Sequence, residues 1–427
     1  MKTYTLRQLL KIKNGRDHQT LNDGEIPVYG SGGIMRYVDT YLYDKESILL
    51  PRKGSLANIQ YSSVPFWTVD TIYYTEIDES LVNPYFLYNY LKLLDLSNLD
   101  SGTGVPSMTF DSYYNISVNL PDREIQNKIA EVLKNIDTKI TLNQAINRNL
   151  EALARQLYEY WFVQFEFPDE NGRPYKSSGG KMVWNQKLKR KIPEEWEVKN
   201  LPFIATFTNG IACQKFRPLE NEKFLPVIKI REMRDGVTSE SELVKFDIPE
   251  DVKVYNCDIL FSWSASLEVM IWTGGEGGLN QHIFKVVPKV SFNKPFVFFQ
   301  ILDYIKVFQG MAEARKTTMG HITQDHLNQS LIVVPKDNSL LMEFEKLISP
   351  VFNQLILNSE QISDLKAKRE ELLPLLLNGQ VSVKPTDINC DLYVNHPSAT
   401  MDLDNLYRNL DLGNSHHKNI SDHSNCM

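Results

Sequence analysis

The chain has 427 residues, a net charge of −7, 42% hydrophobic and 23% charged residues. This length predicts two or three domains, and the composition excludes a chain that is disordered or fibrous throughout. No apolar run reaches the roughly 20 residues of a membrane helix, and the N-terminus lacks the apolar stretch of a signal peptide. The acidic balance argues against nonspecific coating of nucleic acid. Four widely spaced cysteines argue against a disulfide scaffold or a structural zinc site, and they fit a cytoplasmic protein without a metal.

An internal repeat is the strongest feature of the sequence. The segment LRQLLKIKNG at 6–15 recurs as LPFIATFTNG at 201–210, and NISVNLP at 115–121 recurs as NQSLIVVP at 328–335. Three further matches lie between them in the same order, including a strand-like segment at 47–50 that recurs at 258–261. The offset grows from 195 residues (6 to 201) to 214 (121 to 335), so the second copy carries an insertion, placed between Lys229 and Tyr255. We interpret the chain as a tandem duplication.

Each copy ends in a predicted long helix. Apolar residues recur every three or four positions from Ile125 to Leu157 and again from Phe344 to Leu376. This narrow seam is typical of a coiled-coil pair, although each helix could instead lie on its own domain. Pro350 is expected to kink the second helix or to split off its first turns.

One asparagine interrupts each seam near its middle, Asn143 in the first helix and Asn358 in the second. If the helices pack antiparallel, these two amides are predicted to be neighbours that fix the register of the pair. The alternative is that both face water. Outside the helices, short β-branched and aromatic runs predict strands separated by turns. Asn171–Gly180 has the composition of a linker, and the polar tail at 383–427 is expected to be weakly ordered.

Three motifs suggest chemistry, and each has a simpler interpretation. Asn83-Pro84-Tyr85-Phe86 resembles the Asn-Pro-Pro-Tyr turn of adenine methyltransferases but lacks the second proline, so it is interpreted as a capped helix start. Gly30–Gly33 lacks the Lys-Ser/Thr of a phosphate loop and is interpreted as a turn. His321 and His326 have no acidic partner at metal-site spacing and are interpreted as polar loop residues. No catalytic grouping repeats between the copies, which points away from an enzyme.

Polar and basic residues do recur at matching loops, although their identities differ between the copies. Such side chains contact phosphates and base edges in nucleic-acid-binding proteins. The candidate DNA-binding residues are Arg36, Arg52, Lys53, Thr103, Ser107, Lys229, Arg231, Trp263, Arg315, Lys316, Thr317 and His321. A duplicated scaffold with different loops would suit a protein whose two copies recognise two different DNA half-sites.

The chain resembles the specificity subunits of type I restriction-modification systems. Leu120–Ala130 is similar to the Pro-x-x-x-x-Gln start of that family's central helix, and Ile192–Val198 is similar to its entry into a second recognition domain. The third similar stretch is Leu365–Gly379 at the end of the distal helix. The Gln is not found at the start of the second helix.

The resemblance implies an α+β fold, with two tandem α/β target recognition domains separated by two long antiparallel helices in a pseudo-twofold repeat. The implied domains are residues 1–120 and 185–335, with spacer helices at 121–165 and 336–382 and a linker at 166–184. It also implies double-stranded DNA as ligand, two modification subunits and restriction subunits as partners, and no membrane. S-adenosylmethionine, ATP and Mg are expected on those partners, with no cofactor and no catalytic residue in this chain. The alternatives are a DNA adenine methyltransferase with its own recognition domain, and a coiled-coil adaptor for protein partners.

Overall fold

The computed structural model of the chain describes residues 1–54, 56–94, 96, 107–264, 266–314 and 322–380, with the side chains of 311–314 excepted. The described residues form two compact units. Unit 1 comprises Met1–Thr141 and the described residues from Leu365 onward, and unit 2 comprises Leu142–Asp364. Both long helices therefore contribute one segment to each unit.

Unit 1 is built from short strands and helices that precede the first long helix. Its strands are β1 (Lys2–Thr5), β2 (Leu10–Asn14), β3 (Asp23–Gly30), β4 (Gly33–Val38), β5 (Ser47–Pro51), β6 (Gln60–Ser62), β7 (Trp67–Thr68), β8 (Ile72–Ile77) and β9 (Ser117–Leu120). Its short helices are α1 (Leu6–Leu9), α2 (Pro84–Lys92) and α3 (Phe110–Tyr114). The strands form an antiparallel sheet in the order β2-β8-β5-β6, a second sheet β4-β3-β7 and the pair β1-β9. Strands β3 and β7 run parallel.

The first long helix, α4 (Arg123–Tyr158), continues through a π-helical turn at Glu159–Val163. Beyond it, unit 2 carries the strands β10 (Met182–Asn185), β11 (Arg190–Pro193), β12 (Trp196–Lys199), β13 (Ala205–Asn209), β14 (Phe224–Ile228), β15 (Leu243–Lys245), β16 (Lys253–Val254), β17 (Ile259–Ser262), β18 (Glu268–Ile271), β19 (Gly277–Leu279), β20 (Ile283–Pro288) and β21 (Ile332–Pro335). Its helices are α5 (Leu201–Ile204), α6 (Ile230–Asp235), α7 (Lys294–Ala314), α8 (Gln324–Gln329) and the second long helix, α9 (Ser339–Leu377).

Unit 2 repeats the strand pairing of unit 1. Its sheets are β13-β20-β17-β18, β15-β14-β19-β16 and the pair β12-β21, with β10-β11 added. Even the unusual parallel pair recurs, since β14 and β19 run parallel as β3 and β7 do. Strand β15 pairs with β14 as β4 pairs with β3, whereas α6 and β16 have no counterpart between β3 and β5 and lie within the range predicted for the insertion. The predicted duplication is thus confirmed by topology.

In both units a segment of α4 runs antiparallel to a segment of α9. In the core of unit 1, Ile129 and Leu133 lie with Leu373 and Leu377, and in unit 2 Tyr158 and Trp161 lie with Phe344 and Ile348. Residues later on α4 therefore meet residues earlier on α9. Apolar burial on both segments holds each pair together.

The structure corrects two details of the predicted helices. Helix α9 runs unbroken from Ser339 to Leu377, so its first turns are not split off at Pro350, which lies exposed on the helix surface. Ile125 and Ile146, assigned to the seam of α4, are 48% and 38% exposed. The buried face instead follows a seven-residue spacing through Gln126, Leu133, Ile140, Asn147 and Ala154.

This shift changes the asparagine partners, and the predicted contact between Asn143 and Asn358 is wrong. Asn358 donates its amide to Oδ1 of Asn147 at 2.9 Å, and both side chains are buried. Asn143 lies one helical turn earlier and donates to Gln361 Oε1 at 3.1 Å on a more exposed part of the helix surface. A buried asparagine pair does join the helix segments in unit 2, but on the α4 side it uses a different asparagine.

The interpretation of two of the three motifs is confirmed. The side chains of Asn83 and Asn293 cap α2 and α7, accepting from the backbone amides of Phe86 and Phe296 at 3.0 and 2.9 Å. Gly30–Gly33 is the turn between β3 and β4, and Gly33 has a φ of +124° that favours glycine. His326 is not in a loop: it lies buried on α8, where its Nδ1 accepts from the Thr323 amide at 3.0 Å. His321 lies outside the described residues.

Two further predictions concern a linker at Asn171–Gly180 and a weakly ordered tail. The proposed linker Asn171–Gly180 contacts the core of unit 2 through Tyr175, whose ring stacks on Phe167 at 4.6 Å, and Phe167 stacks in turn on Trp196. The polar tail at 383–427 lies outside the described residues. Within the described part of the chain, no group of three or more His, Cys, Asp or Glu side chains could hold a metal ion.

Candidate nucleic-acid interface

A groove of about 380 Å³ opens at one end of the β2-β8-β5-β6 sheet of unit 1. Strands β2 and β5 end there and β8 begins, because each of the two pairs antiparallel with β8. The lining residues are Asn14, Arg52, Lys53, Tyr73, Ser107, Met108, Thr109 and Phe110. The groove thus brings together three predicted DNA-binding residues, Arg52, Lys53 and Ser107.

Backbone and ring contacts hold Arg52 in this groove. Its amide donates to Thr71 O at 2.9 Å, and its carbonyl accepts from the Met108 amide at 3.0 Å. The guanidinium lies 5.9 Å from the centre of the Tyr73 ring and donates to Asp70 O at 3.3 Å. Burial raises the pKa of Tyr73, although the Arg52 charge opposes this shift. Lys53 is exposed beside it and forms a backbone bridge with Ser107, so two basic side chains line the groove.

The corresponding position in unit 2 is occupied by Trp263. Its amide donates to His282 O at 3.2 Å, and its carbonyl accepts from the Ile322 amide at 3.0 Å, the pattern seen for Arg52. The indole Nε1 donates to Asn209 Oδ1 at 2.9 Å, and the ring lies 5.5 Å from the imidazole of His282. The same backbone frame therefore presents a guanidinium in unit 1 and an aromatic side chain in unit 2.

A family model for the type I restriction modification DNA specificity domain matches residues 1–152. The MjaIX type I specificity subunit of Methanocaldococcus jannaschii is 27% identical over 362 residues, covering 80% of this chain and 79% of the relative. The HindI specificity subunit of Haemophilus influenzae is 25% identical over 373 residues, covering 72% and 79%. These matches support the recognition of the chain as a specificity subunit of a type I restriction-modification system. The crystal structure of a type I S subunit from M. genitalium superposes with a TM-score of 0.59 at 14% identity, covering 88% of this chain and 95% of that chain, so the predicted fold class is confirmed.

Other predicted DNA-binding residues form ion pairs with acidic side chains. Arg36 on β4 lies 2.7 Å from Asp23, Lys229 lies 2.5 Å from Glu242, and Arg231 lies 2.9 Å from Glu232. Lys229 lowers the pKa of Glu242 through its hydrogen bond. A DNA phosphate would have to compete with these carboxylates, whereas Arg52 and Lys53 already face the groove. Thr103, Arg315, Lys316, Thr317 and His321 lie outside the described residues.

Sequence reasoning missed some residues of both sites. Asn14 lines the groove of unit 1, and its equivalent Asn209 holds Trp263. Their signal was present, because both belong to the repeated Asn-Gly that ends the first matching segment. Thr109, which the sequence places among the polar residues that recur at matching loops, also lines the groove; it caps α3 by accepting from the Ser112 amide at 3.1 Å. His282 had no such signal, because its equivalent in unit 1 is Thr71.

The glycine of each repeated Asn-Gly allows the close backbone approach that shapes these sites. A Cβ on Gly15 would lie 2.0 Å from Val69 O, and one on Gly210 would lie 2.2 Å from Asn280 O. Both contacts are with backbone atoms, which cannot rotate away. No helix in the described residues has the length and apolar character needed to cross a membrane.

Proposed function

We propose that this chain is the non-catalytic DNA-recognition subunit of a type I restriction-modification complex. Unit 1 and unit 2 each read one half of a bipartite, asymmetric site in double-stranded DNA. Adenine methylation is carried out by two modification subunits that bind S-adenosylmethionine, and cleavage by restriction subunits that use ATP and Mg. The complex assembles in the cytoplasm.

One observation carries the two-reader part of this proposal. Arg52 and Trp263 occupy the same place in two copies of one backbone frame, yet their side chains differ in chemistry. Arginine donates in a fork to guanine O6 and N7 or to phosphate. The indole N–H of Trp263 is held by Asn209, so this side chain offers an apolar face, which suits the thymine methyl group. Two copies with identical side chains would read a symmetric site, so this difference favours an asymmetric one.

The proposal is tested by changing one reader at a time in the assembled complex. Arg52→Ala and Trp263→Ala are each combined with wild-type partner subunits, and methylation is sequenced across a library in which both half-sites are randomised. Each change is expected to relax base preference in one half-site only, by about 1–3 kcal/mol at the affected position. Relaxation of the same half-site by both variants, or of neither half-site by either, would refute the assignment of one half-site to each unit.

The non-catalytic part has a separate test, with the chain alone and no partner subunit. Calorimetric titration with S-adenosylmethionine is expected to give no binding heat, and no methyl transfer to DNA should occur. Binding of the cofactor by the isolated chain would instead favour a methyltransferase that carries its own recognition domain.

A further inference from the structure

A polar cluster joins α4 to α9 in unit 1. Arg369 on α9 donates from Nε to Asp137 Oδ1 at 2.6 Å and from Nη2 to Oδ2 at 3.1 Å. The same guanidinium donates to Asn89 Oδ1 at 2.7 Å, and the Tyr85 hydroxyl donates to Asp137. The side chains of Arg369 and Asp137 are only 15% and 30% exposed. Arg369 and Asp137 therefore form a bidentate ion pair that is largely shielded from water.

The equivalent positions in unit 2 are apolar. Buried positions on α4 correspond to buried positions on α9 at an offset of 215 residues. Examples are Gln126 with Leu341 and Leu133 with Ile348. By this offset Asp137 corresponds to Phe352, and Ala154 on α4 corresponds to Arg369. The helix caps Asn83 and Asn293 give an offset of 210 for α2 and α7, so Asn89 corresponds to Phe299.

These counterparts in unit 2 form a tight apolar contact. The rings of Phe299 and Phe352 lie 5.8 Å apart, and Ala154 belongs to the same buried cluster. One contact of the duplicated scaffold is therefore ionic in unit 1 and apolar in unit 2.

This difference matters because a duplication creates two similar helices that could pair like with like. If the α4 helices of two chains packed together in the same antiparallel register, Asp137 would face Ala154 of the second copy. If two α9 helices did so, Arg369 would face Phe352 of the second copy. Either arrangement leaves a shielded charge without its partner, which is strongly unfavourable. Pairing α4 with α9 leaves no such charge.

The buried asparagine pair favours the same choice. Asn358 meets Asn147, whose counterpart on α9 is Ile362 at the same offset of 215 residues. In a pair of two α9 helices Asn358 would therefore face Ile362 of the second copy and lose its amide partner. A buried amide without a partner adds to the penalty on that arrangement.

We propose that the cluster of Asp137, Arg369 and Asn89 is the pairing determinant of the two long helices. It makes α4 select α9 and reject a second copy of α4, and it makes α9 reject a second copy of itself. The cluster distinguishes the two kinds of helix, so its loss would favour a two-chain assembly through like pairs. This inference does not depend on DNA recognition.

In the test, the full chain is unfolded in urea and refolded at several protein concentrations. The molar mass of the refolded species is then measured by light scattering. Asp137→Arg places two guanidinium groups together in the α4–α9 contact but adds no repulsion to either like pair. The fraction of two-chain species is expected to rise several-fold over wild type. Exchanging the charges, with Asp137→Arg and Arg369→Asp together, should return that fraction to the wild-type value. The matched control is Asp111→Arg, which reverses one charge of the exposed Arg7–Asp111 pair of unit 1 and should not change the mass distribution.

A second variant keeps the contact favourable while removing its selectivity. Asn89→Phe, Asp137→Phe and Arg369→Ala together copy the residues of unit 2, so the chain should still fold, although the Tyr85 hydroxyl loses its acceptor Asp137. Its two-chain fraction should nevertheless rise, because both like pairs are now apolar at this position. The proposal is overturned if adding Arg369→Asp to Asp137→Arg does not return the two-chain fraction to the wild-type value, whether Asp137→Arg alone aggregates or dimerises. It is equally overturned if the triple variant refolds to wild-type mass.

Discussion

Replacing the buried asparagine pair of unit 2 by leucine should reveal strong coupling between the two positions. In Asn147→Leu, the Nδ2 group of Asn358 loses its acceptor while it stays buried, which costs about 1–3 kcal/mol. In Asn358→Leu, the Oδ1 atom of Asn147 loses its donor and Gln354 loses the acceptor at 2.8 Å, at a similar cost. In the double variant neither amide remains, and each leucine contributes up to about 1.5–3 kcal/mol by burial.

The double variant should therefore be as stable as wild type or more stable, although each single variant is weaker. The losses of the two single variants are expected to sum to about 4 kcal/mol, so the coupling energy should be about 4 kcal/mol or more, far above the roughly 0.5 kcal/mol seen for independent sites. With a urea m-value of about 2 kcal/mol/M, a single variant should shift the midpoint by about 1 M.

Tryptophan fluorescence gives an unfolding signal dominated by unit 2. Of the six tryptophans, Trp67 lies in unit 1 and the others in unit 2, namely Trp161, Trp184, Trp196, Trp263 and Trp272. Asn143→Leu is the matched control, because its amide bonds Gln361 on the more exposed surface and its loss should change stability by at most about 0.5 kcal/mol. Additive losses in the double variant, or a control as damaging as Asn147→Leu, would refute the assignment of the buried pair.

Three further predictions concern the groove, the repeated glycines and one carboxyl group. Lys53→Ala should weaken DNA binding by the assembled complex similarly for all sequences and lower its salt slope by about 1, and an unchanged slope would remove Lys53 from the phosphate contacts. Gly15→Ala and Gly210→Ala should each destabilise the chain by about 1–3 kcal/mol, whereas Gly32→Ala, with open space around its Cα, should not. Burial raises the pKa of Asp303 above its ordinary value of 3.8, against the opposing charge of Arg155. The folded chain therefore holds this proton more tightly, and unfolding free energy should fall as pH rises through that raised pKa. Asp303→Asn should flatten this dependence in urea titrations, and an unchanged slope would show that other groups cause it.

The repeat and the long helices could be predicted because each depends on patterns of residues that are close together in the sequence. Strand segments such as 47–50 and 258–261 carry runs of apolar residues, and a period of three or four identifies a helix without any knowledge of its partner. Asn83 and Asn293 were assigned as caps for the same reason, since capping depends on residues within one turn.

The details that failed depend on contacts between segments far apart in the chain. Which of Asn143 and Asn147 meets Asn358 is decided by the rotation of α4 about its axis. Exposed Ile125 and Ile146 misled the assignment of that rotation, because the sequence does not show which apolar residues face solvent. Arg52 and Lys53 can be predicted because they follow a strand that recurs in the sequence. His282 cannot, because it corresponds to Thr71 in its backbone hydrogen bond and not in residue type.

The composition of unit 1 has a consequence for synthesis on the ribosome. Its core includes Leu373, Leu376 and Leu377, which follow the rest of unit 1 by more than 230 residues (141 to 373). At about 5–20 residues per second, translation needs roughly 10–50 s to supply them. During that time Ile129 and Leu133 on α4 of the nascent chain lack their native apolar contacts with α9. Cellular chaperones that bind exposed apolar segments should therefore associate with chains stopped before α9 and release those that contain it.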